Sequence, residues 1–474
     1  MTLDRLLNPA SVAVIGASDR PGKIGNIILT NLKDGSARLF AVNPYKDYIG
    51  GLISYPTVKD LPERVDVAVI AIPADDTVEV VRECAQEGIP FVIPIASGFA
   101  EIGEAGGELQ AEMVEATRGT NTRILGPNTL GILVPRHQLD TFFTPKDRSP
   151  RPGDGCISLV SQSGSVLSGV FEMAENEGVG MASCIGLGNK ADLDENDLME
   201  YLVEDPHTRS MALYLESFSD GGRFVELCSR ISPVKPVVVA KVGRTARGQT
   251  AALSHTGAMA SSSDAVVDGI FRQFGVSRAY DVTELLDISK GMAYLDHIPG
   301  DRIAVVSSAG GFGVLAADYI ESSDRGVGMR LAEISAEGKE RIIDSSVYFA
   351  SAENPIDLTG GVTDEMYEMV LSILQEEEGV DAILLLIQMQ TPGTTERLLD
   401  TADRWSREGS KPIVVCSIGG SYAINFLRKF EGRRIPAYST LRRAIWVMKS
   451  LFERGSYLKR VGTSGKPPGN IKGA

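Results

Sequence analysis

The chemistry this sequence can carry is concentrated at one histidine and two sets of glycine and serine turns. His255 lies in Thr250-Ala251-Ala252-Leu253-Ser254-His255-Thr256-Gly257-Ala258, a run of small residues that follows Gly243, Gly248 and the basic pair Arg244 and Arg247. An imidazole on such a loop can reach a phosphorus atom and hold it as a phosphoramidate. On residue type alone, a structural or surface histidine is an equal reading. The other three histidines have plainer settings: His137 in a polar stretch, His207 after Asp205-Pro206, and His297 near Pro299.

The segment Ser161-Gln162-Ser163-Gly164-Ser165 follows an apolar strand pattern and opens a helical one. Small residues and hydroxyls at a helix N-terminus present several N–H and O–H donors to a phosphoryl group, and serine capping alone is the plainer alternative. Gly188, Asn189 and Lys190 are candidates for further donors. The segment is not a G-x-S-x-G nucleophile elbow, because the positions two before and two after Ser163 are Ser161 and Ser165.

A second group of turns sits near the N-terminus. Gly16-Ala17-Ser18, Pro21-Gly22-Lys23 and Gly25 lie between a short apolar strand pattern and a helix, which suits a phosphorylated ligand, although a tight turn alone would also use these glycines. A dinucleotide fingerprint would read GxGxxG with an acidic residue about 20 positions on. Here the next strand pattern ends in Val42-Asn43-Pro44-Tyr45-Lys46, and a lysine there suits a ligand with extra phosphate charge better than NAD. Later strand patterns end in Ile72-Pro73-Ala74, Ser97-Gly98-Phe99 and Gly126-Pro127-Asn128, which together outline a cleft at the carboxyl edge of a sheet.

The elements that must position these residues are parallel strands covered by helices. Apolar runs such as VDVAVIAI at 65–72, RIAVVS at 302–307 and DAILLLI at 381–387 alternate with amphipathic stretches throughout. The pattern predicts an α/β protein, with a Rossmann-like domain over 1–132, a linker over 133–154, flavodoxin-like domains over 155–297 and 298–460, and a disordered tail over 461–474. With 47 Lys and Arg against 62 Asp and Glu, the net charge of −15 gives no general attraction for nucleic acid or an anionic membrane. The five scattered cysteines never fall in CxxC spacing, so no metal site is expected and a reducing cytoplasm fits. No apolar stretch reaches the roughly 18 residues of a membrane span, and an unprocessed N-terminus is expected.

Taken together, SHTGA around His255, SQSGS at 161–165, NPIDLTGG at 354–361 and the opening NPASVAVIGASDRPGKIG resemble the α subunit of ADP-forming acetyl-CoA synthetase, and more distantly that of succinyl-CoA synthetase. The resemblance implies an N-terminal CoA-binding domain followed by two flavodoxin-like domains. It implies that His255 is phosphorylated, that Glu216 in Tyr214-Leu215-Glu216 holds the imidazole, and that the 161–165 turn holds the phosphoryl group. CoA would occupy the first cleft, against Gly16, Ala17, Ser18, Pro21, Gly22, Lys23 and Gly25, with Val42, Asn43, Pro44 and Lys46 beside them. Ile72, Pro73, Ser97, Gly98, Phe99 and Asn128 would complete its walls. ATP or ADP, with Mg2+, would bind a separate ATP-grasp β subunit in an α2β2 heterotetramer, and a small carboxylic acid would be the co-substrate. Two alternatives are a ligase for another acid and a non-catalytic CoA- or NAD-binding regulatory subunit.

Overall fold

The computed structural model describes residues 3–250, 263–322, 327–346 and 350–462. It divides into two compact units, one of residues 1–176 with 180–285, the other of residues 177–179 with 286–474.

The first unit holds two sheets. In the N-terminal sheet, Ser11–Ile15 is flanked by Arg38–Val42 on one side and Val67–Ile70 on the other, all parallel, and the sheet continues through Phe91–Pro94 to Arg123–Ile124. Its central strands Ser11–Ile15, Val67–Ile70 and Phe91–Pro94 are apolar at every position but Ser11 because helices cover both faces, so Val12, Ala13 and Val14 are fully buried. Chain order reverses at Ser11–Ile15, the place where open α/β sheets form ligand crevices. In the second sheet the corresponding strand is Asp154–Ser161, between Met181–Gly186 and Ser210–Leu215, with Val237–Lys241 next. One apolar core joins the two sheets, running from Val12 and Val69 through Ile132 to Val160 and Leu213.

Two observations depart from the expected organisation. Within the span expected to be a linker, Leu139–Asp140 pairs antiparallel with Ile132–Val134, which itself pairs with Met181–Gly186. One of its charged residues, Arg151, reaches inward to Asp140 at 3.0 Å and lies over the Phe142 and Phe171 rings. The helix Val282–Leu295, expected to close the second domain, belongs from Leu286 onward to the second unit. There Tyr438 donates its hydroxyl to the Asp287 carbonyl, and the fully buried Lys290 pairs with Glu431 at 2.8 Å.

The second unit carries a parallel sheet ordered Arg330–Leu331, Arg302–Ser307, Ala382–Leu386, Ile413–Cys416 and Ala437–Tyr438, with Ile356–Asp357 also paired to Arg302–Ser307. The tail after residue 462 lies outside the described residues. Among the described residues, no helix is long and apolar enough to cross a membrane.

Candidate functional site

At the end of Ser11–Ile15 the chain turns through Gly16 at φ +79° and enters the helix Ile24–Leu32. A β-carbon on Gly25 would lie 2.0 Å from the Gly16 carbonyl oxygen, so only glycine lets the helix end approach the strand end this closely. The Asn43 amide donates to the Ala17 carbonyl at 2.9 Å and its oxygen accepts from the Tyr45 N–H at 2.9 Å, tying the second strand's turn to the first. Lys46, expected to be a phosphate cation, is paired with Asp19 at 2.7 Å. That hydrogen bond holds the Asp19 carboxyl below its usual range.

These turns open on a cavity of about 1140 Å³ within the first unit. Of the residues expected at the CoA site, Gly16, Ala17, Ser18, Lys23, Gly25, Asn43, Lys46, Ile72, Pro73, Ser97 and Asn128 line it. Pro21, Gly22 and Pro44 are exposed beside it, whereas Val42 and Phe99 are buried in the core and offer no side chain. The Gly98 turn already has an acceptor: Glu101 takes the Gly98 N–H at 2.6 Å and the Phe99 N–H at 3.2 Å, and its other oxygen takes the Asn189 amide at 2.6 Å. Burial acts to raise the Glu101 carboxyl, and these hydrogen bonds outweigh it and hold it below the usual carboxylate range. Sequence reasoning passed over Asp19, Arg20, Thr129, Leu130 and Phe143, which also line the cavity. Apart from their position at strand ends, nothing in their types signals it.

The second sheet contributes Gln162, Ser163, Gly164 and Ser165 to the same cavity. Ser161 is fully buried and builds the turn instead of facing the cavity: its hydroxyl donates to the Ser163 carbonyl at 2.8 Å and accepts from the Ser163 N–H at 3.2 Å. The Ser163 and Ser165 hydroxyls are 3.1 Å apart at the start of the helix Gly164–Glu177. Two hydroxyls and a helix N-terminus on a cavity wall form an anion-binding arrangement. Asn189 lines the cavity as well. Its N–H donates to the Pro127 carbonyl at 3.0 Å, which locks the Gly188 turn onto the Asn128 turn.

Glu216 follows Ser210–Leu215 and is buried. Long polar side chains hold the backbone around it. The Gln162 oxygen accepts from the Glu216 N–H at 2.6 Å and the Ser217 N–H at 3.0 Å. Lys190 donates to the Ser217 carbonyl and to the buried Glu195 carboxylate, both at 2.8 Å. Glu195 in turn accepts from the Ser219 N–H at 2.7 Å. Lys190 is therefore committed to this internal network and does not line the cavity, because a buried ammonium must be paired. Gln162 serves both places, with a side chain on the cavity wall and hydrogen bonds to the Glu216 strand end. His255 and its SHTGA neighbours lie outside the described residues.

Residues 10–135 match a family described as a CoA binding domain, and residues 154–292 match the succinyl-CoA ligase like flavodoxin domain. The α subunit of acetate–CoA ligase [ADP-forming] I of Pyrococcus furiosus is 35% identical over 465 residues, covering 96% of this chain and 98% of that one. Acetate–CoA ligase [ADP-forming] I of Archaeoglobus fulgidus is 35% identical over 457 residues, and the match spans 96% of this chain but only 64% of that longer one. Among solved structures, the dinucleotide forming acetyl-coenzyme A synthetase 1 of Ca. Korarchaeum cryptofilum, in complex with phosphate and ADP, superposes with a TM-score of 0.87 at 35% identity, covering 98% of this chain and 99% of that one.

Proposed function

This chain belongs to the family of ADP-forming acetate–CoA ligase α subunits, and on that premise we propose that it interconverts acyl-CoA, phosphate and ADP with the free acid, CoA and ATP. The observation that carries this reading is the shared cavity, where the glycine turns of one sheet face the Gln162 to Ser165 turn of the next and Gln162 is bonded to the Glu216 strand end. CoA is assigned to the first sheet's side of the cavity, with its phosphates toward the Gly16 to Gly25 turn and Lys46 exchanging Asp19 for them.

A phosphate oxygen attacks the thioester carbonyl, the carbon–sulfur bond breaks, and CoA leaves as the thiolate. The acyl phosphate then gives its phosphoryl group to an imidazole nitrogen of His255, and the carboxylate departs. Ser163 and Ser165, with the helix N-terminus, stabilise the phosphoryl oxygens, since such transfers depend on positioning and electrostatics. Glu216 accepts a hydrogen bond from the other ring nitrogen, which fixes the tautomer. Phosphohistidine finally donates to ADP, with Mg2+, on an ATP-grasp β subunit in an α2β2 assembly. Every step is reversible. A small acid such as acetate is the preferred substrate in this reading, and the reaction takes place in the cytoplasm.

The test is incorporation of labelled inorganic phosphate in the presence of acetyl-CoA. His255→Ala should remain unlabelled while binding CoA as the wild type does. A labelled variant overturns the assignment.

A further inference from the structure

Lys241 ends the strand Val237–Lys241 and is 5% exposed. It pairs in register with Leu215, the residue before Glu216. Its ammonium donates to the Glu216 carbonyl at 2.7 Å and to the Val242 carbonyl at 2.6 Å, with the Phe218 ring centroid 5.8 Å away. Both acceptors are neutral. Burying a charge against neutral carbonyls costs more than burying an apolar side chain of the same size, so packing alone does not account for a lysine here.

We propose that Lys241 is a positioning residue for phosphoryl transfer: by holding the Glu216 and Val242 carbonyls, its ammonium fixes where the Glu216 carboxylate stands relative to the Ser161–Gly164 turn. The proposal rests on the reading of Glu216 as the group that orients the phosphorylated histidine. Gln162 accepts from the Glu216 and Ser217 N–H groups and Lys241 donates to the Glu216 carbonyl, so the peptide groups on both sides of the Glu216 α-carbon are clamped. The charged groups acting on the Lys241 ammonium are Arg278 and Lys190, which disfavour its charge, and Asp264 and Glu216, which favour it. Burial is the largest influence and brings the ammonium down to about 8. The clamp therefore weakens as pH rises through that value.

The experiment is single-turnover incorporation of labelled inorganic phosphate into the full chain with acetyl-CoA, from roughly pH 6.5 to 9.5. The wild-type rate should fall on the alkaline side, and Lys241→Arg should carry that fall upward by about a pH unit or more. Lys241→Met should be labelled at least about tenfold more slowly at neutral pH, as expected when a reacting geometry slips, with CoA affinity unchanged. A wild-type rate that stays level to the alkaline limit overturns the proposal, and so does wild-type labelling of Lys241→Met. Should Lys241→Met fail to fold, the wild-type and Lys241→Arg profiles decide. His255→Ala runs alongside: label on that variant sinks the parent reading, whereas its loss together with an unaltered Lys241→Met sinks only this one.

Discussion

The turn after Asp154–Ser161 in the first unit and the turn after Arg302–Ser307 in the second are built on the same backbone plan with different side chains. In the first, the Ser161 hydroxyl donates to the Ser163 carbonyl at 2.8 Å and accepts from its N–H at 3.2 Å; in the second, Ser307 does the same with Ala309 at 2.8 and 3.0 Å. Gln162 donates its N–H to Tyr214 as Ser308 does to Leu386. The Gln162 side chain accepts from the Glu216 N–H as the Ser308 hydroxyl accepts from that of Gln388. Strand register extends the correspondence one strand further, from Ala240 and Lys241 to Cys416 and Ser417. Where the first frame has Gln162, Glu216 and Lys241, the second has Ser308, Gln388 and Ser417. One backbone solution thus supports Glu216 and Lys241 in one place and the neutral Gln388 and Ser417 in the other, and the turns differ as well in Ser163 against Ala309 and Ser165 against Gly311.

The largest effect should come from converting the first frame toward the second. Glu216→Gln keeps a hydrogen-bonding group of the same size but removes the carboxylate, and it should slow single-turnover phosphorylation by about a hundredfold, in line with the usual contribution of a positioned acid–base group. A rate within twofold of wild type would mean that charge is not what separates the frames. Ser163→Ala copies Ala309 and removes one of two hydroxyls facing the cavity. It should cost about tenfold in the same assay, the scale of one charge-assisted hydrogen bond, and an unchanged rate would leave the cup to backbone donors alone.

A smaller effect concerns stability and the second unit, whose buried charge is gathered elsewhere. Glu177, Asp287 and Glu431 surround Lys290 and Arg443, three carboxylates to two cations. One Glu431 oxygen is buried without a hydrogen bond, and burial pushes this carboxyl up to about 7, against the pull of Lys290. Its folded value lies above its unfolded one, so the folded state binds the proton more tightly and stability falls as pH rises from about 4.5 to 7, by up to a few kcal/mol. Denaturant unfolding across that window should show the fall, and Glu431→Gln should flatten it. Parallel slopes for the two proteins would remove Glu431 as the cause.

Much of this was legible in the sequence. Runs such as VDVAVIAI announce strands because a sheet covered on both faces leaves no polar alternation, and the small residues at 161–165 announce a turn into a helix. The roles of long polar side chains were not legible. Lys190 and Gln162 read as donors to a ligand because local sequence cannot show that their far ends fold back onto Ser217 and Glu216, residues 27 and 54 positions away. Lys241 reads as the end of an apolar strand for the same reason. Ile132–Val134 and Leu139–Asp140 escaped because strands of two or three residues are too short to set a period.

The interlock of Gly16 with Gly25 bears on how conservation among relatives should be interpreted. Any side chain at Gly25 would collide with a carbonyl oxygen, so natural selection should keep that glycine as strictly as it keeps a nucleophile. A residue profile drawn from many homologues would rank the two together, though one is retained by lack of room and the other by reactivity, and only replacement followed by separate measurement of folding and turnover can tell them apart.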